Sequence, residues 1–151
     1  MGKGIIMDYK SLAVEICELN FEYSREMKSF QNKVSPRGED AVLLWIARQE
    51  PPVYALDIIP CFDLSAGRVA NILKQLEDKD CITRTQDSED MRRSQIMLTD
   101  KGRRVAADKY EEMLSTNERL LSILGEKDGK EFIRIKQKLV KHLSEERNES
   151  K

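Results

Sequence analysis

Residues 63–99 leave this chain few folds to choose from. Ser65 is a natural N-cap, because its hydroxyl can accept a hydrogen bond from an unpaired amide of a first helical turn. Val69, Ile72, Leu73 and Leu76 follow at i, i+3, i+4 and i+7, which puts one apolar stripe on one face of a helix. Arg68, Asn71, Lys74 and Gln75 fall mostly off that stripe. Residues 82–85 and 96–98 are β-prone, and a polar, charged loop carrying Arg92 and Arg93 separates them. The pattern is a helix with a polar, partly basic outer face, followed by a hairpin tipped with arginines.

That combination is a winged helix-turn-helix: one element fits a major groove and the other reaches the adjacent minor groove. At these residues the chain resembles the MarR family of bacterial transcription regulators. The resemblance lies in Leu64-Ser65 opening the recognition helix, Leu76-Glu77-Asp78-Lys79 closing it, and Ile82-x-Arg84 leading into the wing. Its most specific part is Asp90-x-Arg92 spaced to Leu98-Thr99-x-x-Gly102. With the flanking helices it extends over nearly the whole chain. It implies a mainly α fold with a small β-wing and long N- and C-terminal dimerisation helices that interleave across a two-fold axis. It also implies a transcription regulator, a repressor, that binds a double-stranded, pseudo-palindromic operator as a homodimer. A small aromatic or phenolic effector would release it. Asp63 and Asp80 stand where the family usually has Gly.

The candidate DNA contacts divide by chemistry. Arg68 is the best base reader, since a guanidinium grips guanine O6 and N7 together. Asn71 suits adenine or a phosphate, and Lys74, further along, suits the backbone. The Ser65 hydroxyl and its neighbouring amides can bind a phosphate at the helix N-terminus. Ala66 and Gly67 are small where the family often has polar residues, so DNA shape is expected to carry much of the specificity. The resemblance puts Arg92 in the minor groove and gives Asp90 the task of fixing the loop or the arginine. Arg93 is expected on a phosphate, and Arg84, at the foot of the wing, completes the set.

Before the reader, the apolar positions Tyr9, Leu12, Ala13, Ile16, Leu19, Tyr23, Met27 and Phe30 keep helical spacing with no Pro or Gly between them. A helix that long needs something to cover its stripe, and at a chain end the cover can be a second subunit. Ser35-Pro36 reads as N-cap and first position of a buried helix over 38–50, ended by Pro51-Pro52. Residues 54–62 supply the first helix of the pair, with Leu56, Ile58, Ile59 and Phe62 as core candidates. Pro60 makes that helix start late or kink. Thr99 caps a long helix, residues 125–129 form a turn, and a last amphipathic helix runs into a fraying polar end at 145–151. The expected division is 1–34 for an N-terminal dimerisation helix, 35–104 for the DNA-binding unit and 105–151 for C-terminal dimerisation helices, within one compact chain.

Composition excludes other classes. A formal net charge of −1 rules out a global basic footprint, although a regulator needs only a local one. No apolar run is long enough to span a membrane, and the N-terminus turns polar too soon for a signal peptide. Three widely spaced cysteines suggest neither a zinc site nor a disulfide scaffold, so a cytoplasmic setting is the simplest. Cys17 resembles in position the reactive cysteine of the hydroperoxide-sensing branch of the family. Glu15 and Glu18 would oppose its thiolate, and Gln31 replaces a tyrosine of that branch. Cys61 and Cys81 read as filler, and His142, the only histidine, as solvent-facing. Trp45 and Tyr54 read as core and core edge. No nucleophile–base pair or phosphate-binding Gly loop occurs, so no enzyme, cofactor or metal site is expected. Two alternatives stay open: a thiol redox sensor switched by Cys17, and a winged helix used only for protein interaction.

Overall fold

The computed structural model describes residues 8–149 apart from Met91 and Arg92, with the side chains of 24–32 also outside the description. Helix α1 runs Tyr9–Val34, α2 Gly38–Ile46, α3 Ala55–Phe62, α4 Ala66–Asp78 and α5 Asp100–Glu149. Strands β1 (Val53–Tyr54), β2 (Ile82–Gln86) and β3 (Ser94–Leu98) form an antiparallel sheet in the order β1-β3-β2. Ile82 faces Leu98 and Gln86 faces Ser94 across the hairpin, while Tyr54 of β1 faces Gln95. The fold is mainly α with a small β-wing: a winged helix-turn-helix between two long terminal helices.

One core holds the winged helix-turn-helix together. Val42, Leu43 and Ile46 of α2, Ile58 of α3, the stripe Val69, Ile72, Leu73 and Leu76 of α4, and Ile82 and Ile96 of the hairpin are all buried in it. Each such side chain contributes about 1.5–3 kcal/mol of transfer free energy. Lys109 ties α5 to this body by meeting Asp40 of α2 at 3.0 Å, and Lys33 ties α1 to α5 by meeting Glu112 at 3.0 Å.

Several local expectations change. Arg37, not Ser35, takes the N-cap of α2, and that helix ends at Ile46 in a turn over 47–49 instead of reaching Glu50. Leu56 is 65% exposed and not core. Pro60 neither delays α3 nor breaks it; the helix begins at Ala55 and continues through Pro60 to Phe62. The missing Pro60 N–H orphans the carbonyl of Leu56, and on that exposed turn water can satisfy it. The turn expected over 125–129 shrinks to one residue. Gly125 (φ 76°, ψ 172°) breaks α5, and helical structure resumes at once and holds to Glu149, through 145–149 of the stretch expected to fray; 150–151 lie outside the described residues. Both aspartates in glycine positions are left-handed: Asp63 (φ 50°) closes α3 and Asp80 (φ 56°) follows α4. The Cys81 N–H then bonds the Leu76 carbonyl at 2.9 Å and finishes the helix end.

Candidate nucleic-acid interface

Helix α4 is built to show one face. Its N-cap is Ser65, whose Oγ accepts from the Arg68 amide at 3.2 Å. Burial of the four-residue stripe turns Ser65, Arg68, Asn71, Lys74 and Gln75 outward, and all five are exposed. Among the described residues no carboxylate pairs with Arg68 or Lys74. The first acidic side chain on this helix is Glu77, in its last turn, and it is already engaged by Arg84.

That ion pair alters the role open to Arg84. Its Nε donates to Glu77 Oε2 at 3.0 Å, and an Nη donates to the same oxygen. The shared bond holds the Glu77 carboxyl below its ordinary range and raises the Arg84 guanidinium above its own. Arg84 therefore clamps the end of α4 to β2. Any DNA contact it makes must compete with a carboxylate.

Asp87 organises the wing turn. Its Oδ1 accepts from the amides of Glu89 (2.8 Å) and Asp90 (3.0 Å), and its Oδ2 accepts the Tyr54 phenol O–H. Backbone bonds from Asp87 N–H to the Arg93 carbonyl and from Arg93 N–H to the Asp90 carbonyl, each 2.9 Å, close the loop. The Asp90 amide and carbonyl thus belong to the turn, and the Asp87 carboxylate three residues earlier also holds it. Arg93 lies over the Tyr54 ring, 3.8 Å from its centroid. Arg92, the expected minor-groove residue, lies outside the described residues.

Apolar patterning alone places Tyr54 at the core edge and does not distinguish Asp87 from the other acidic residues of the loop. Asp-Ser at a strand end is an Asx-turn signal and marks Asp87. No local signal marks Tyr54, whose partner is 33 residues away. The Tyr54 hydroxyl and two amides depress the Asp87 pKa to about 2, and the same bond raises that of Tyr54. The signs set a window. Asp87's contribution is complete above its unfolded value near 4 and is lost as pH falls through about 2; Tyr54's is complete below about 10 and is lost as pH rises through its higher folded value. Ultraviolet titration of the phenols should therefore extend to higher pH in the wild type than in Asp87→Asn. Superimposable curves would remove the bond.

The other candidates are scattered. Cys17 and Cys61 are exposed on α1 and α3, and Cys81 is buried. His142 pairs with Glu146, one turn on, at 3.3 Å. Among the described residues no group of His, Cys, Asp and Glu could hold a metal ion, and no helix is long and apolar enough to cross a membrane. Trp45 is half-buried and meets Phe62 edge to face, with ring centroids 6.3 Å apart.

Known proteins supply the context. A sequence model described as the MarR family matches residues 39–94. No curated protein matches the chain. Among solved structures, one described as MarR is 22% identical, with 99% of each chain covered and a TM-score of 0.67. A MarR transcriptional regulator from Methanosarcina mazei Go1 is 17% identical, covering 89% of this chain and 98% of its own, with a TM-score of 0.68. S. aureus MepR in a complex with DNA is 23% identical, covering 93% and 98%, with a TM-score of 0.62. The segment that matches the MarR family model, residues 39–94, takes in nearly all of α2, then α3, α4 and the hairpin as far as Ser94, and the likeness in fold continues through the helices on either side.

Proposed function

We propose that the chain is a sequence-specific transcription repressor that binds a pseudo-palindromic operator as a homodimer. One observation carries this reading: the capped helix α4 turns Arg68, Asn71 and Lys74 outward on a face without acidic groups, beside an arginine-bearing hairpin. Residues 35–104 read the DNA. Residues 1–34 and 105–151 join two copies, so that two α4 helices enter successive major grooves about 34–36 Å apart. Arg68 reads a base, Asn71 a base or a phosphate, and Ser65 and Lys74 the backbone; Arg92 enters the minor groove. Bound across a promoter, such a dimer blocks it. MepR, similar in fold, has been crystallised with DNA.

Release by a small molecule is the second half of the reading. A cavity of about 550 Å³ lies between α2, β3 and α5, lined by Leu44, Ala47, Val53, Met97, Ala106 and Tyr110 together with Arg48 and Arg103. Its size and apolar walls suit an aromatic ligand, and the Arg48 guanidinium suits a phenolate or carboxylate on that ligand, whereas Arg103 is engaged by Asp100 and the Leu98 carbonyl. A ligand releases DNA only if it binds more tightly to a dimer whose reading heads are wrongly spaced.

The test is a salt titration of wild type, Arg68→Ala and Arg92→Ala on a genome-selected fragment and on random duplex. Arg68→Ala should cost about 1–3 kcal/mol on the selected site and much less on random DNA. Arg92→Ala should flatten the slope of log K against log salt by about one unit. If the wild type prefers no fragment over random duplex, the chain is a protein-interaction module instead.

A further inference from the structure

Tyr54 holds the wing twice, and neither contact belongs to the core. Its hydroxyl donates to Asp87 at the start of the loop, and its ring carries the guanidinium of Arg93 at the end of the loop, 3.8 Å from the centroid. The residue is well placed to transmit position. Its backbone pairs with β3 opposite Gln95, and its N–H donates to Asp57 Oδ2 at 2.8 Å in the first turn of α3. Tyr54 is thus the joint between the helix-turn-helix and the wing. The hairpin ladder ends at Gln86 and Ser94, and the loop beyond it starts at Asp87 and returns at Arg93. Both side chains that Tyr54 holds stand at the foot of that loop.

The chemistry gives the contact a direction. A guanidinium stacked on a ring engages one face and keeps its in-plane N–H donors at the edge, where they can meet an oxygen anion. Asp87, bonded to the phenol, also organises the amides of the turn, so ring and loop cannot shift independently. We propose that Tyr54, held by Asp87, is a positioning residue for DNA binding: it locks the wing to the helix-turn-helix and presents Arg93 edge-on to a backbone phosphate. This rests on the DNA-binding reading above.

The two contacts can be separated by substitution. Tyr54→Phe deletes the hydroxyl bond and keeps the ring; Tyr54→Ala deletes both. The first measurement needs no DNA. Trypsin cleavage after Arg93 in the full-length protein should be several-fold faster in Tyr54→Phe than in wild type, at a matched thermal midpoint. Equal rates would overturn the lock. The second measurement is binding to the selected operator across a salt series. Arg93→Ala should weaken binding and flatten the salt slope by about one unit, the signature of one lost phosphate contact. Tyr54→Ala should reproduce that flattening with a loss of about two- to fivefold, and the double variant should lose no more than Arg93→Ala alone. Tyr54→Phe should keep the wild-type slope. A wild-type slope in Tyr54→Ala, or additive losses in the double variant, would overturn the positioning of Arg93. If the wild type binds no duplex, the regulator reading fails and the DNA half of the proposal with it, while the cleavage rates still decide the lock.

Discussion

Gly102→Ala is expected to cost about 3–5 kcal/mol, a large share of the 5–15 kcal/mol that typically holds a domain folded. Thr99 caps α5 through the Gly102 amide, which donates to its Oγ1 at 2.9 Å. The same hydroxyl donates to the Asp80 carbonyl at 2.6 Å, and the Thr99 N–H donates to the Cys81 carbonyl at 3.1 Å. These bonds press the first turn of α5 onto the backbone that leaves α4. A β-carbon on residue 102 would stand 1.8 Å from the Cys81 carbonyl oxygen and 2.8 Å from its carbon. Those are backbone atoms and cannot swing aside as a flexible side chain would. Relief requires lifting α5 away, with loss of the two bonds from Thr99 to the Asp80 and Cys81 carbonyls, or displacing the entry to β2. Gly67→Ala is the control: it is also helical, nothing lies within 4 Å of its added carbon, and it should be neutral or stabilising by up to about 1 kcal/mol. Urea unfolding of the two variants beside wild type decides the matter. An unchanged midpoint for Gly102→Ala would mean that the close approach is not a constraint.

The second large effect concerns the chain ends. Phe132, Ile135, Leu139 and Leu143 lie at three- and four-residue intervals on the last part of α5 and are all exposed in one copy, as are Tyr9, Leu12, Ile16 and Leu19 of α1. A soluble monomer rarely leaves a continuous apolar patch beyond a few hundred Å² uncovered. Interleaved with a second copy, these faces would form an interface of the obligate class, about 2,000 Å² or more. Sedimentation should show a dimer at every accessible concentration. Deleting 127–151 should leave insoluble or unfolded protein. Leu139→Glu, which keeps the chain intact but sets a charge in the stripe, should dissociate the dimer. It should also weaken operator binding by about a hundredfold or more, because the two half-site readers are no longer linked. A well-folded monomer, either of the wild type or of the 127–151 deletion, would refute this.

How far the sequence could be read follows from the range of the forces involved. Helix α4 is specified within itself: the Ser65 cap and the stripe Val69, Ile72, Leu73 and Leu76 are contacts between near neighbours, and the stripe is buried as its spacing requires. The hairpin is local too, although it is longer than the β-prone runs, because the ladder from Ile82–Leu98 to Gln86–Ser94 recruits polar residues of no strong preference. Thr99 as the cap of α5 was legible for the same reason.

What escaped the sequence depends on pairs distant along it. Strand β1 is two residues long and exists because β3 offers its edge to Val53 and Tyr54. The Tyr54–Asp87 bond and the Arg84–Glu77 clamp have no periodicity to betray them, yet they decide which wing and helix charges are already engaged within the chain. Pro60 stays inside α3 because its cost depends on whether water reaches the carbonyl it orphans, and exposure is a tertiary property. Gly102 shows the division most plainly. Its spacing from Leu98-Thr99 stands in the sequence, but its reason, a backbone oxygen where a side chain would begin, is supplied by a residue 21 positions earlier that only folding brings alongside.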